Sequence, residues 1–282
     1  MKKLNLKLLA TLLTVVFLTS LTINSCKREE NPPANDPPVE NNEKSYEDYI
    51  KELVATTGID IYQLSDLKEV QKLAGKSQNL MRMIVETSHS KGAFTEEKLE
   101  QLELLYGEME VAYANGNEYE VLRLFEIFCA ICKTIDNFIF VDNGYGFQTL
   151  IFDPDKEPLE LPMNYLLEEW TNSSNLIYVI EENYPLFSSL QEETKIEVIA
   201  AALYLNLQIS GSKAPSDCKK NAAEAFAIAL VTNQAVYNLG LVACGVTGPG
   251  TPACWGFATA SLAIADGVAY WQYKRALKKC GN

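Results

Sequence analysis

The sequence contains a single histidine, His89, among its 282 residues. A zinc site built on several histidines is therefore excluded, and a Ser-His-Asp triad would have to use this one residue. His89 lies in residues 88–92, a stretch predicted to be a loop, and we expect an exposed side chain without a catalytic role. No glycine-rich loop follows a predicted strand, since Asn143-Gly144-Tyr145-Gly146 is typical of a turn. We expect neither a metal ion nor a cofactor.

Positive charge is also scarce. The chain has 24 basic and 37 acidic residues and a formal net charge of −13. Three of the basic residues, Lys2, Lys3 and Lys7, lie in the first 25 positions, so the rest of the chain has 21 basic and 37 acidic residues and a net charge of −16. Nucleic-acid phosphates require Lys and Arg, and the balance therefore argues against a nucleic-acid partner and against electrostatic docking on anionic lipid.

Charge is absent from the stretch that follows those three lysines. Residues 8–21 are almost wholly apolar, and the small residues that follow end at Cys26. A basic start, an apolar run shorter than a membrane span and a small-residue zone are typical of a secretory signal. We therefore expect residues 1–25 to be a signal peptide.

Ile23-Asn24-Ser25-Cys26 resembles the lipobox of bacterial lipoproteins, in which Leu, a small residue and Gly, Ala or Ser precede the cysteine. Ile23, Ser25 and Cys26 match the motif, whereas Asn24 departs from the commonest choice. The resemblance implies cleavage before Cys26, a diacylglycerol on its sulfur and an acyl chain such as palmitate on its amino group. Such chains anchor a protein stably. The alternative is a secreted protein in which Cys26 is unrelated to lipid.

The residues after Cys26 are predicted to form a tether. Lys27-Arg28-Glu29-Glu30 resembles a short signal that directs lipoproteins to the cell surface, and it is equally compatible with a solvated linker. Residues 31–44 hold four prolines among Asn, Asp and Glu, a composition that cannot bury a core. We expect residues 26–44 to be a disordered tether at the outer membrane or cell surface, with a periplasm-facing position as the alternative.

Residues 45–212 are predicted to form a helical domain. Apolar residues recur at helical spacing, Thr95 is a predicted N-cap, and Asn115-Gly116-Asn117 is a predicted stop. The predicted helices are Ser45–Thr56, Ser65–Ser88, Thr95–Ala114, Glu118–Ile139, Pro162–Tyr184 and Ser188–Ile209. The turn signal at Asp142-Asn143-Gly144 and the apolar residues around it leave room for one small β-hairpin near residues 138–152.

The cysteine spacing predicts the architecture of residues 213–282. Cys218 and Cys244 are 26 residues apart, and so are Cys254 and Cys280. Between the pairs, Gly245 suits a helix C′ position, Thr251 an N-cap and Pro252 a first helical residue. Two antiparallel helices of about 39 Å would therefore place Cys218 beside Cys280 and Cys244 beside Cys254. The sequence predicts two disulfides that close both ends of a helical hairpin.

No charged residue occurs between Glu224 and Asp266, and this absence leaves two interpretations of the hairpin. One is a buried core hairpin with small residues in the seam between its helices and larger ones, such as Phe226 and Phe257, facing the rest of the protein. The predicted seam residues are Ala222, Ala229, Val236, Ala243, Gly256, Ala260, Ala263, Gly267 and Tyr270. The other interpretation is an element that inserts into membranes, against which the polar Asn233, Gln234, Asn238 and Asp266 argue.

Cys129-Ala130-Ile131-Cys132 is the remaining cysteine motif. A redox pair needs a thiolate stabilised by positive charge or a helix N-terminus, whereas this motif lies inside an apolar helical stretch. Three hypotheses stay open: a redox pair, a local Cys129–Cys132 disulfide and two buried thiols, with the local disulfide favoured.

Carboxylates offer only weak candidates for chemistry. Adjacent acids on a helix, Glu168-Glu169 and Glu181-Glu182, should point apart. Asp142, Asn143, Asp153 and Asp155 could supply oxygen ligands to calcium, but their spacing fits no EF-hand. The aromatic residues of 138–184 could line a groove for a glycan or peptide, although core packing is the simpler explanation.

The sequence thus predicts an all-α, multi-helix bundle ending in a disulfide-stapled antiparallel hairpin. The function that fits best is a lipid-anchored, non-enzymatic binding or scaffolding protein of the bacterial envelope. It would be bound to the membrane through lipid on Cys26 and would recognise a protein, peptide or glycan. The alternatives are a membrane-active or toxin-like protein acting through residues 216–282, and a hydrolase that uses carboxylates of residues 142–182.

Overall fold

The computed structural model describes residues 45–87, 95–133, 163–207, 217–245 and 251–280. Within these ranges the chain forms nine α-helices and one short 3₁₀ helix, and no strand. The predicted all-α bundle with a C-terminal hairpin is therefore confirmed. The predicted β-hairpin at residues 138–152 lies outside the described residues, as do the predicted signal peptide, the tether and His89.

The helices follow the predicted order along the chain. In sequence they are α1 Tyr46–Thr57, α2 Ile61–Ser65, α3 Lys68–Thr87, α4 Glu96–Ala114, α5 Glu118–Lys133, α6 Met163–Asn183, η1 Pro185–Ser189, α7 Glu192–Leu205, α8 Asp217–Gly245 and α9 Thr251–Lys279. The last two are the longest, at 29 residues each. At 1.5 Å per residue each is about 43 Å long.

Short polar side chains fix where several helices begin. Ser45 Oγ accepts a hydrogen bond from the Asp48 backbone N–H at 3.2 Å, and Thr95 Oγ1 accepts one from Lys98 N–H at 3.3 Å. The predicted N-cap at Thr95 is thereby confirmed. Asp60 caps α2 by accepting from two backbone amides at 3.1 Å each. These caps satisfy amide groups that have no partner within the helix.

Two boundaries differ from the sequence prediction. The helix expected from Ser65 begins instead at Lys68, and a separate five-residue helix that was not predicted, capped by Asp60, ends at Ser65. The helix expected from Ser188 begins instead at Glu192. Pro185 starts a 3₁₀ turn, and Leu190 after it has extended backbone, so the chain changes direction before α7.

The α8–α9 hairpin lies at the centre of the bundle. Its two helices pack against each other along their length, α8 also contacts α3, α6 and α7, and α9 also contacts α4, α5 and α6. One hydrophobic core includes Ile50 of α1, Leu102 of α4 and Phe257 of α9, all at most 1 % exposed. The described helices α1–α7 and the hairpin therefore share one core, which forms around α8 and α9.

Candidate functional site: the stapled hairpin and its buried polar groups

The hairpin is closed by a disulfide at each end. Cys218 and Cys280 are bonded with their Cα atoms 5.7 Å apart, and Cys244 and Cys254 are bonded with the same Cα separation. The predicted pairing is confirmed. The first bond closes the open base of the hairpin across 62 residues, and the second closes the tip across 10 residues. Both bonds lie within the hairpin.

A partly buried acid and a buried amide form a pair between these two bonds. Asn233 Nδ2 of α8 donates a hydrogen bond to Asp266 Oδ1 of α9 at 2.9 Å. Burial raises the pKa of Asp266 to about 7, and the hydrogen bond from Asn233 opposes part of that rise. The pair therefore places a carboxyl group with a pKa near neutrality in the stretch from Ala225 to Tyr273, which has no other charged residue. Perturbed acids of this kind are candidates for function.

A second polar group joins the hairpin to the neighbouring helix α6. Ser173 of α6, 1 % exposed, donates from Oγ to Asn238 Oδ1 of α8 at 2.7 Å. Asn238 in turn donates from Nδ2 to the Gln234 backbone oxygen at 2.7 Å. Four residues before Ser173, Glu169 accepts from Lys76 Nζ of α3 at 2.7 Å with its side chain only 10 % exposed. These contacts satisfy buried polar groups and fix α3, α6 and α8 relative to one another.

The carboxylate pairs expected from the sequence behave as predicted where they are described. Glu169 is buried against Lys76, whereas its neighbour Glu168 is exposed. Glu181 is partly buried and Glu182 is exposed. Adjacent acids therefore point apart and do not form acid–base pairs. The other oxygen ligands considered, Asp142, Asn143, Asp153 and Asp155, lie outside the described residues.

Aromatic side chains surround the tip of the hairpin. Trp255 of α9 lies with its ring centroid 5.9 Å from that of Trp170 of α6, and both belong to a small apolar cluster around the Cys244–Cys254 bond. Further along α9, Phe257 stacks on Tyr106 and Tyr113 of α4 at centroid distances of 4.9 and 5.5 Å. Phe257 thus faces the rest of the protein, as the sequence predicted.

Glycines in the hairpin make room for these rings. Gly245 was predicted to be a C′ residue but is the last residue of α8, and its lack of a side chain accommodates the Trp170 indole. Gly256 was predicted to lie in the seam between α8 and α9. A Cβ at this position would instead lie 3.2 Å from the ring of Phe125 on α5. Both glycines therefore permit close packing of a third helix against the hairpin.

Substituting Gly245 by alanine should destabilise the protein by about 2 kcal/mol, because the new Cβ would overlap Trp170 Nε1 and lie 2.7 Å from Cε2. Chemical denaturation followed by tryptophan fluorescence would measure this loss. Gly240→Ala in the same helix is the matched control. No atom lies within 4 Å of its Cβ position, so alanine should be neutral or stabilising there. Equal losses for the two variants would contradict the packing assigned to Trp170.

The base of the hairpin contacts the first helix through tyrosines. Tyr204 Oη at the end of α7 lies 3.1 Å from Glu224 Oε1 of α8, and the Tyr204 ring meets Tyr46 of α1 edge to face at 4.5 Å. Burial, followed by the charge of Glu224, raises the pKa of Tyr204 to about 12. Burial also raises the pKa of Tyr46. These phenols therefore remain protonated and serve as hydrogen-bond donors and packing groups.

Cys129 and Cys132 are not disulfide-bonded. The local disulfide favoured by the sequence is not formed. Cys132 is buried, and burial raises its pKa well above the ordinary value, with the neighbouring Cys129 as a secondary cause. A thiol that resists ionisation is a poor nucleophile. The pair therefore belongs to the part of α5 that packs in the hydrophobic core, and it lacks the properties of a redox motif.

Within the described residues, no group of three or more His, Cys, Asp or Glu side chains is arranged to hold a metal ion. In the same ranges one helix, Cys218–Gly245, is long and apolar enough to cross a membrane, and most of its most apolar window is buried in the fold. Core helices of soluble proteins share these properties. The helix is thus compatible with both interpretations of the hairpin.

No protein-family model, curated protein or solved structure matches this chain. The candidate site is therefore described by its own geometry. It is a hairpin that is closed at both ends by disulfides, and the Asn233–Asp266 pair lies between them.

Proposed function

We propose that this chain is a lipid-anchored, non-enzymatic binding or scaffolding protein of the bacterial envelope. The observation that carries the proposal is the pair of disulfides, Cys218–Cys280 and Cys244–Cys254. Structural disulfides persist in oxidising spaces outside the cytosol. They support an exported chain, for which the lipobox-like residues before Cys26 provide the leader and the anchor. The proposed location is the outer membrane or cell surface, with the body attached through residues 26–44.

A binding role is supported by how the described polar groups are used. Lys76 pairs with Glu169, Ser173 with Asn238, and Asn233 with Asp266, so these buried groups bond to one another across helices. Such pairing fixes a scaffold and leaves the surface to recognise a protein, peptide or glycan. That surface includes one apolar face of α4. Leu104 and Val111 lie seven residues apart on this face and are 71 % and 62 % exposed.

The anchor can be tested by metabolic labelling with radioactive palmitate in a bacterial host. We expect the wild-type chain to incorporate the label and Cys26→Ser to lose it, because acylation requires the cysteine sulfur and the amino group freed beside it. Cys129→Ser is the matched control and should be labelled like the wild type, since Cys129 lies within the folded body. Labelling of the Cys26→Ser variant would refute the proposed anchor.

A further inference from the structure

We infer that the α8–α9 hairpin can leave the bundle as one covalently closed unit and insert into a phospholipid bilayer. This inference rests on the proposed function in one respect, because the lipid anchor would hold the hairpin close to its membrane. It extends that function by naming the bilayer interior as a second partner.

The covalent connections of the hairpin are internal. Both disulfides join α8 to α9, so the main chain before Asp217 is the only covalent connection between the hairpin and the described helices α1–α7. Movement of the hairpin away from α6 and α7 therefore requires no bond to be reduced. The same bonds keep α8 and α9 antiparallel while they move.

The length of the uncharged segment matches a bilayer. From Ala225 to Tyr273 the chain has one charged residue, Asp266. Residues 225–245 of α8 would span about 31 Å and residues 251–273 of α9 about 34 Å, against a hydrocarbon core of about 30 Å. Apolar residues lie on all sides of both helices, which is the pattern of a helix surrounded by apolar material, whether protein or lipid.

The one charged residue has its partner inside the same unit. Asp266 accepts its hydrogen bond from Asn233 of α8, so the pair remains satisfied when the hairpin moves as a whole. Burial already holds the pKa of Asp266 near 7, and in its protonated form the carboxyl adds no charge to the lipid phase. The links that must break are hydrogen bonds such as Ser173–Asn238 and Tyr204–Glu224, together with apolar packing.

The flanks of the hairpin suit a headgroup region. Six basic residues lie at its base, beside the Cys218–Cys280 bond, although the chain as a whole is acidic. They are Lys219, Lys220, Lys274, Arg275, Lys278 and Lys279. Basic residues that flank an apolar span interact favourably with anionic lipid on the side from which the span enters. The tip between Gly245 and Thr251 carries no charge and can cross the bilayer.

The tryptophans provide a direct test, because Trp170 of α6 and Trp255 of α9 are neighbours in the folded bundle. The experiment uses the mature chain, residues 26–282, with Cys26→Ser and intact disulfides, so that its outcome does not depend on acylation. One variant retains only Trp255 (Trp170→Phe, Trp271→Phe), and the other retains only Trp170 (Trp255→Phe, Trp271→Phe). Each is mixed with phosphatidylcholine–phosphatidylglycerol vesicles whose acyl chains are brominated.

If the hairpin inserts alone, Trp255 should lose most of its emission to the bromines and Trp170 should lose little. Equal quenching of both would mean that the whole body binds lipid, and absence of quenching would mean that the bundle stays closed; either result overturns the inference. Retention of the parent Cys26→Ser chain on these vesicles after an alkaline carbonate wash is a second measurement that needs no tryptophan substitution. Complete release by the wash would also overturn it.

Discussion

Replacing Cys218 and Cys280 together by alanine should lower the free energy of unfolding by about 4 kcal/mol. The reason lies in the unfolded chain, since this bond closes a loop of 62 residues and removes much of the conformational freedom of that loop. Cys218 is exposed and Cys280 is partly exposed, so their replacement should cost little in packing. Guanidinium denaturation would measure the loss, and the slope of unfolding free energy against denaturant should increase because the unfolded chain exposes more surface.

Replacing Cys244 and Cys254 is the matched comparison. This bond closes only 10 residues, for which loop closure contributes about 3 kcal/mol. Both cysteines are at most 2 % exposed, so this variant should also lose buried contacts around Trp255.

A loss below about 1 kcal/mol on removing Cys218–Cys280 would contradict the first prediction. It would show that the helices, and not the disulfide, hold the hairpin base together.

Substituting Asp266 by asparagine should stabilise the protein at neutral and alkaline pH by about 4 kcal/mol. The folded state raises the pKa of this carboxyl from 3.8 to about 7, so between those values the folded chain binds a proton that the unfolded chain releases. The contribution of Asp266 to stability should therefore fall as pH rises from about 4 to about 7 and stay level above that. Asparagine keeps an acceptor for Asn233 and removes the cost of a buried charge.

Unfolding curves of the wild type and Asp266→Asn at about pH 4 and about pH 8 would test this expectation, because groups common to both proteins cancel in the difference. The two proteins should be nearly equal at the lower pH and well separated at the higher one. Asp66→Asn, at an exposed position, is the control and should change stability little at either pH. A constant difference at both values would show that Asp266 titrates at the same pKa in the folded and unfolded chains.

The hairpin is the part of the fold that could be predicted in most detail, because two equal cysteine spacings determine the register of two antiparallel helices. The same register predicts the polar pair. Asn233 follows Cys218 by fifteen residues, and Asp266 precedes Cys280 by fourteen. In the sequence, each residue separately argues against membrane insertion. The disulfide pairing places the two side by side, because their distances from the bonded cysteines are nearly equal.

Contacts between distant segments could not be predicted in the same way. Gly245 resembles a helix-ending glycine in sequence, and only the packing of α6 beside α8 reveals that it makes room for Trp170. Ser173 and Asn238 are 65 residues apart, with no periodic pattern that relates them. Such contacts depend on how amphipathic and all-apolar helices pack in three dimensions, and many arrangements would satisfy the same hydrophobic pattern.

The position of the hairpin in the chain also has a consequence for biogenesis. The helices around which the core forms follow α1–α7 in the chain, and all four bonded cysteines lie in residues 218–280. Until those residues emerge, α1–α7 lack the apolar surface on which they pack, so little of the nascent chain can complete its folding. The proposed export requires an extended chain during transport. The position of α8 and α9 after α1–α7 would delay folding until the hairpin has also crossed.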